Sequence, residues 1–175
     1  AGVVQLHDGR LLAFGRSDNI DDKMPMSISE DMGETWSYSP SPFLPIGGGQ
    51  RLVLLRLQEG PLFLASFTGG RKDQPEMEVT DVAGHKRSVT GLFTAVSLDE
   101  GQTWSNIRLV SHDGPDRQLE TTNGNPFTMG ISTAEPGGYL AGCQSPDGLI
   151  HLISSKQHYT FNLAWLTTPP PAVEA

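Results

Sequence analysis

A few short segments of this 175-residue chain carry ionisable residues whose side chains suit particular kinds of chemistry. Four of these segments are Arg16-Ser17-Asp18-Asn19-Ile20-Asp21-Asp22-Lys23, Gln50-Arg51, Thr133-Ala134-Glu135-Pro136 and Ser155-Lys156-Gln157-His158-Tyr159. A fifth runs from Thr68 to Ser88 and carries Arg71, Lys72, Asp73, Glu76, Glu78, Asp81, His85, Lys86 and Arg87. Arginine presents a fixed fork of donors that meets both oxygens of a carboxylate, so Arg16, Arg51, Arg71 and Arg87 suit an acidic ligand. A glutamate such as Glu135 can act as a general base or as the partner of a nucleophile. His158 or His151, with Tyr159, can abstract a proton next to a uronate carboxylate neutralised by Arg51 or Lys156, which is lyase chemistry. Asp18, Asp21 and Asp22 suit acid catalysis where one is desolvated, and they equally describe a solvated loop or a cation site.

Other chemistries find no support in the pattern. Gly47-Gly48-Gly49 lacks the lysine and the strand-to-helix setting of a phosphate-binding loop. No Cys/His cluster has zinc spacing, and Asp18 to Asp22 lacks the remaining ligands of an EF-hand, so neither a cofactor nor a metal is expected. The lone Cys143 excludes an intrachain disulfide and, in its apolar stretch, reads as a small buried hydrophobe. A formal net charge of −8 opposes non-specific adhesion to nucleic acid or anionic lipid. No apolar run approaches the roughly 20 residues that a membrane-spanning helix needs. The chain opens at Ala1 without an initiator Met or a charged-then-apolar leader, which reads as a processing or fragment boundary.

The elements that must position these residues are strands. With 20 Gly and 13 Pro there is little room for long helices, and no window holds a helical apolar stripe. One pattern, an apolar strand, an acidic-Gly turn and another apolar strand, is written three times. Its copies are Val3–Leu6 and Arg10–Gly15 about Asp8-Gly9, Leu52–Leu57 and Leu62–Phe67 about Glu59-Gly60, and Tyr139–Gln144 and Leu149–Ser154 about Asp147-Gly148.

A second repeat overlays the first. Ser29 to Trp36 and Ser97 to Trp104 both spell S-x-D-x-G-x-T-W, 68 residues apart and flanked by β-like residues. Each reads as a hairpin turn: the Asp accepts backbone N–H groups, the Gly supplies a positive φ, and the Trp plugs the adjoining apolar layer. Asp31, Asp99, Trp36 and Trp104 are therefore expected to be structural.

These two turns resemble the Asp-box of sialidases and related β-propellers, where the box joins the third and fourth strands of a blade. The resemblance covers nearly the whole chain and implies an all-β partial propeller of about three four-stranded blades, half of a six-bladed ring. The blades would be about 1–43, 48–112 and 126–168, within one domain of 1–168 followed by a Pro-rich tail, 169–175. Strands near Tyr139–Gln144, Leu149–Ser154 and Tyr159–Leu166 would form the third blade, whose fourth strand is missing. In this family the outer strand of the last blade is commonly supplied by the other end of the chain. Three blades leave two open faces, so the partner is the missing half of a larger protein or a second copy, the former favoured because closed monomeric propellers are usual.

Blade topology sorts the loops onto two rims. The first hairpin turns and the Asp-boxes share one; the loops between second and third strands, and the links between blades, share the other. The loop from Thr68 to Ser88 makes the Gly60-to-Gly101 interval 17 residues longer than Gly9 to Gly33, an insertion on the ligand rim. Sialidases hold the substrate carboxylate with an Arg cluster, use a Tyr paired with a Glu as nucleophile and use an Asp as acid/base. The resemblance thus implies Glu135 and Tyr159 as catalytic candidates, with Arg51 and Glu135 nearest the axis; His158 is the catalytic candidate of the lyase reading, and Arg51, Gln50, Arg16, Asp18, Arg87 and Lys156 are the substrate-binding candidates. Ser154 and Ser155 stand where the family's late strand would end in Tyr-Glu. The implied activity is cleavage of terminal acidic sugars such as sialic acid by a secreted or periplasmic parent, the fragment alone being inactive. A uronate lyase and a non-catalytic glycan-binding propeller are the alternatives.

Overall fold

Four strands, β1 (Gly2–Gln5), β2 (Leu11–Phe14), β3 (Pro25–Ser29) and β4 (Ser37–Pro40), open a computed structural model that describes residues 1–69 and 76–172. They form an antiparallel meander in chain order. The second sheet begins with β5 (Val53–Arg56) and β6 (Leu62–Thr68), is interrupted by the hairpin β7 (Met77–Thr80) and β8 (Lys86–Val89), and resumes with β9 (Gly91–Ser97) and β10 (Ser105–Leu109). Its order is β5-β6-β9-β10, the same meander with the hairpin looped out. A small hairpin, β11 (Arg117–Leu119) with β12 (Phe127–Met129), leads to a third sheet of β13 (Ala141–Gln144), β14 (Ile150–Ile153) and β15 (His158–Phe161). The fold is all-β, its sheets are antiparallel, and none closes on itself.

Three expectations are corrected. The strand anticipated over Tyr159–Leu166 ends at Phe161, because Asn162 caps a short helix, α1 (Leu163–Thr167), by accepting the Trp165 amide at 2.9 Å. The described part of the Thr68–Ser88 insertion includes β7 and β8, paired from Met77↔Val89 to Thr80↔Lys86. Cys143, expected to be buried, is exposed.

Burial explains the strand sequences. Every residue of β6 and β9 is buried, since the second sheet is covered on both faces, and both strands read as continuous apolar and small residues. In β13 the exposure alternates, as expected where only one face is covered. The first strands lie side by side: a Cβ on Gly2 would stand 2.8 Å from Leu52 and Leu54, and one on Gly142 would stand 3.1 Å from Val53. Glycine in β1 and β13 thus lets both strands approach the two faces of β5. Trp104 fills the space between the first two sheets, 5.7 Å from Phe14 and 5.3 Å from Phe43 between ring centroids. Burial of each such aromatic ring contributes on the order of 2 kcal/mol.

Both repeated turns take the same form. The hairpin glycines Gly9, Gly60 and Gly148 have φ of 92°, 111° and 84°, a region that other residues enter with strain. In the S-x-D-x-G-x-T-W turns, Asp31 accepts from Ser29, the Thr35 amide and the Thr35 hydroxyl, while Asp99 repeats the set with Ser97 and Thr103. These bonds, the Thr35 hydroxyl foremost, hold the Asp31 carboxyl down at about 2.

Turns of both kinds meet at one rim. Glu100, inside the second such turn, accepts from the His7 amide at 2.8 Å and from Arg56 at 2.8 and 2.7 Å. Gln144 accepts from the Gln58 amide at 2.7 Å and donates to Glu59 at 2.9 Å. At the opposite rim Arg16 donates to the Gln50 carbonyl at 3.1 Å, the Arg51 amide to Gly138 at 3.1 Å, and the Tyr139 amide to the Ser155 hydroxyl at 3.1 Å.

Candidate functional site

Glu135 is the centre of the second rim. Its backbone is stitched to the start of β9: the Ala134 amide bonds Thr90 at 2.9 Å, and the Leu92 amide bonds the Glu135 carbonyl at 2.8 Å. Gly91 permits this approach, since a Cβ there would stand 2.5 Å from the Ala134 oxygen. The side chain is fully buried. Its Oε2 accepts from the Ser154 hydroxyl at 2.6 Å and from the Tyr159 hydroxyl at 2.8 Å.

Ser154 is oriented for that bond. Its oxygen accepts the Lys156 and Gln157 amides, both at 2.9 Å, which leaves its single proton for the carboxylate. Glu135 Oε1 is buried and has no hydrogen-bond partner. A Cβ on Gly138 would stand 3.0 Å from it, so the absent side chain leaves that oxygen its space. Burial pushes the Glu135 carboxyl up, against the opposing effects of Ser154, Tyr159 and the Lys156 charge. Burial likewise raises the Tyr159 phenol, and the Glu135 charge raises it further. The pair is a proton-sharing unit in which the phenol keeps its proton and the carboxylate accepts its hydrogen bond.

Beside it lies a cationic patch. The Arg51 guanidinium stands 4.7 Å from the Tyr139 ring centroid, and that of Arg16 stands 5.9 Å from the same ring. Both arginines also lower the α-amino pKa of Ala1, after the larger effect of burial. Among the described residues, neither arginine has a carboxylate partner. Two guanidinium groups flanking an exposed tyrosine, in a protein of net charge −8, form a local attractor for an anion.

The structure therefore brings together Glu135, Tyr159, Lys156, Gln50, Arg51 and Arg16 around the Pro136-Gly137-Gly138-Tyr139 segment. Gln50 is buried there and its side chain is spent on structure, accepting from Gly47 at 3.1 Å and reaching the Pro136 carbonyl at 3.5 Å. Lys156 donates to the Asn125 carbonyl at 2.6 Å.

Three candidates lie elsewhere. His158 precedes Tyr159 on β15, and strand alternation points it to the opposite face, where it meets His151 at 3.2 Å. It is thereby separated from the tyrosine it was grouped with. Arg87 is on β8, bonded to the Pro171 carbonyl at 3.0 Å and facing Asp81 at 3.9 Å. Asp18 is exposed and caps its own loop by accepting the Asn19 amide at 2.8 Å. Arg71 lies outside the described residues. Among those described, no three His, Cys, Asp or Glu side chains converge as metal ligands.

Two participants were not assigned from the sequence. Tyr139 follows two glycines at the head of a strand, the only signal that it would stand clear at the rim. Ser154 acts through the amides of a two-residue hairpin, which the run Ser154-Ser155 does not announce. A cavity of about 500 Å³ adjoins the flank of Tyr159, lined also by Phe161, Trp165, Met129, His112 and Arg117. No protein-family model matches the chain, and no curated protein shows significant similarity to it.

Proposed function

We propose that the chain is part of a glycan-active β-propeller, its three sheets being consecutive blades, and that the rim around Glu135 serves a terminal acidic sugar as in a sialidase-like hydrolase. The repeated meanders, the side-by-side first strands and the two distinct rims support the architecture. The 2.8 Å hydrogen bond from Tyr159 to Glu135 is the single observation that carries the activity. In this reading Arg51 and Arg16 hold the sugar carboxylate, and Tyr139 offers its ring to the pyranose. The Tyr159 oxygen attacks the anomeric carbon while its proton passes to Glu135. The bond from that carbon to the aglycone oxygen breaks, the electron pair stays on the oxygen, and water protonates it. A second water then displaces Tyr159 and gives its proton to the hydroxide that the first water left, while the Tyr159 oxygen recovers its proton from Glu135.

Full burial of Glu135 favours a second reading, glycan binding without turnover, in which the carboxylate only anchors Tyr159. The lyase alternative is weakened by the opposite orientations of His158 and Tyr159. Incubation of the full polypeptide with a fluorogenic α-sialoside separates the readings: release that falls at least about a hundredfold in Tyr159→Phe supports hydrolysis. Saturable binding of the sialoside without release supports the second. Failure to prefer an acidic over a neutral glycoside removes both.

A further inference from the structure

Burial of Glu135 favours its protonated form, in which it cannot take a proton from Tyr159. What opposes burial is local. The ionisable or charged groups that act on Glu135 are Tyr159 on β15 and Lys156 in the turn between β14 and β15. The start of β9, packed against the Glu135 backbone, offers Thr90, Gly91 and Leu92, none of them ionisable. The link before β5 reaches Pro136 through the uncharged Gln50 and turns the Arg51 guanidinium to Tyr139. After burial, the largest influence on the carboxyl is a neutral group, the Ser154 hydroxyl, and it acts in the opposite direction.

The direction of that hydroxyl is set by its surroundings. Ser154 Oγ accepts the Lys156 and Gln157 amides at 2.9 Å each, so its proton must find an acceptor. Two stand in reach, Glu135 Oε2 at 2.6 Å and the Gln157 carbonyl at 3.3 Å, and the carbonyl already takes the Ser154 amide at 2.8 Å. An ionised carboxylate is the stronger acceptor. The turn that supplies both amides is fastened by the β11–β12 hairpin. The Thr122 amide and hydroxyl each bond the Lys156 carbonyl at 3.2 Å, while Lys156 Nζ bonds the Asn125 carbonyl and Gln157 Nε2 the Glu120 carbonyl, both at 2.6 Å.

We propose that Ser154 is a positioning residue whose hydroxyl holds Glu135 in the ionised form, a role that rests on the reading in which Glu135 takes the Tyr159 proton. That proton lands on Oε2, the oxygen that Ser154 also serves. As Oε2 becomes a hydroxyl it accepts poorly, and the Ser154 proton turns to the Gln157 carbonyl. When Tyr159 recovers its proton, the Ser154 hydroxyl turns back. Ser154 thus favours the charged acceptor before the step and yields after it, without gaining or losing a proton of its own.

The test is an NMR titration of the full polypeptide with isotopically labelled glutamate carboxyl carbons, the Glu135 resonance being the one that Glu135→Gln removes. Ser154→Ala raises the midpoint of that resonance by about one pH unit, the worth of one hydrogen bond to a charged group. Ser154→Thr, which keeps the hydroxyl, reverses most of the change. In the wild type the Lys156 and Gln157 amide shifts follow the same midpoint, because the hydroxyl they hold changes acceptor as Glu135 titrates; this measurement needs no variant to fold. The proposal is overturned if Ser154→Ala leaves the midpoint in place or lowers it, if Ser154→Thr moves it as far as Ser154→Ala, or if both amides ignore the Glu135 transition. Release of a fluorogenic sialoside is followed on the same samples. Its acid limb moves to higher pH in Ser154→Ala together with the Glu135 midpoint, and a limb that stays while the midpoint moves also overturns the proposal. Absence of release from the wild type, with the titration shifts intact, removes the hydrolase reading and leaves Ser154 its hold on Glu135.

Discussion

Tyr159 gives its phenolic hydrogen to a carboxylate oxygen of Glu135 that Ser154 also holds, and the other oxygen of that carboxylate meets no donor. Two donors on one oxygen fix the carboxylate plane and leave it imperfectly solvated. The group is thus a stronger base than a surface glutamate.

The first prediction concerns the phenol. Of the three tyrosines, Tyr38 and Tyr139 are exposed and Tyr159 is not. Ultraviolet titration of the folded protein should show the Tyr159 phenol ionising well above the ordinary tyrosine range. In Glu135→Gln it should move down, since the charge opposing its ionisation is gone, while staying above that range because burial persists. A Tyr159 phenol that ionises in the ordinary range in the wild type would contradict the buried pair. The same variant changes the pH dependence of stability. A carboxyl raised in the folded state binds its proton more tightly there, so its contribution is full below the unfolded value of about 4.3 and is lost as pH rises through the folded value. Glu135→Gln should flatten the fall of Tm over that window.

Glu100 should behave in the opposite sense. Its carboxyl is held down to about 2, chiefly by the Arg56 hydrogen bonds, so its stabilising effect is present above the unfolded value and disappears as pH falls toward 2. The pair ties the turn rim of the first sheet, through His7, to the second sheet. Partial exposure of both side chains keeps the loss small, about 1 kcal/mol for Glu100→Gln at neutral pH. Urea midpoints of the two proteins should converge in acid, and a difference that persists near pH 2 would assign the effect to packing.

The cationic patch predicts an ionic-strength dependence. Arg51 is exposed and stands over Tyr139, so binding of an acidic monosaccharide should weaken with added salt and drop by roughly tenfold in Arg51→Ala. Tyr139→Phe should keep most of the affinity, because the ring orients the guanidinium, whereas Tyr139→Ala should lose it. Calorimetry with the methyl glycoside of sialic acid checks the series, and equal losses in both Tyr139 variants would transfer the role to the hydroxyl.

The local structure was written plainly in the chain. Asp8-Gly9 and Glu59-Gly60 announce their hairpins because a tight reversal needs a positive φ, and the two S-x-D-x-G-x-T-W turns announce theirs because their Ser, Asp and Thr side chains bond within the turn. The link that carries Glu135 does meet the one that carries Gln50 and Arg51, the Gln50 side-chain amide reaching the Pro136 carbonyl and the Arg51 amide bonding Gly138. What escaped was set by strand phase and by distant partners. Nothing local says that β15 begins one residue early, yet that phase separates His158 from Tyr159. Arg87 was drawn to the wrong place because the insertion that carries it folds back as a hairpin against the Pro-rich tail, a contact between residues 84 apart.

The last prediction tests that tail. Arg108 is almost completely buried, pairs with Asp113, stacks 3.7 Å from the Trp165 ring centroid, and donates to the carbonyls of Trp165 and Thr168 at 2.8 Å each. It holds α1 against β10 by bonds to carbonyls at the end of the helix. Arg108→Ala leaves Asp113 without its ion-pair partner and takes a donor from both carbonyls, of which that of Trp165 keeps the Thr168 amide at 3.2 Å, so the loss should be about 3–5 kcal/mol, the range for breaking one side of a buried ion pair. Arg108→Lys should recover only part, because one ammonium cannot reach three acceptors in a plane and stack on the ring as well. Chemical denaturation followed by Trp fluorescence measures both. A loss below about 1 kcal/mol in the alanine variant would mean that Leu166 and the surrounding apolar contacts, not the arginine, fasten the segment.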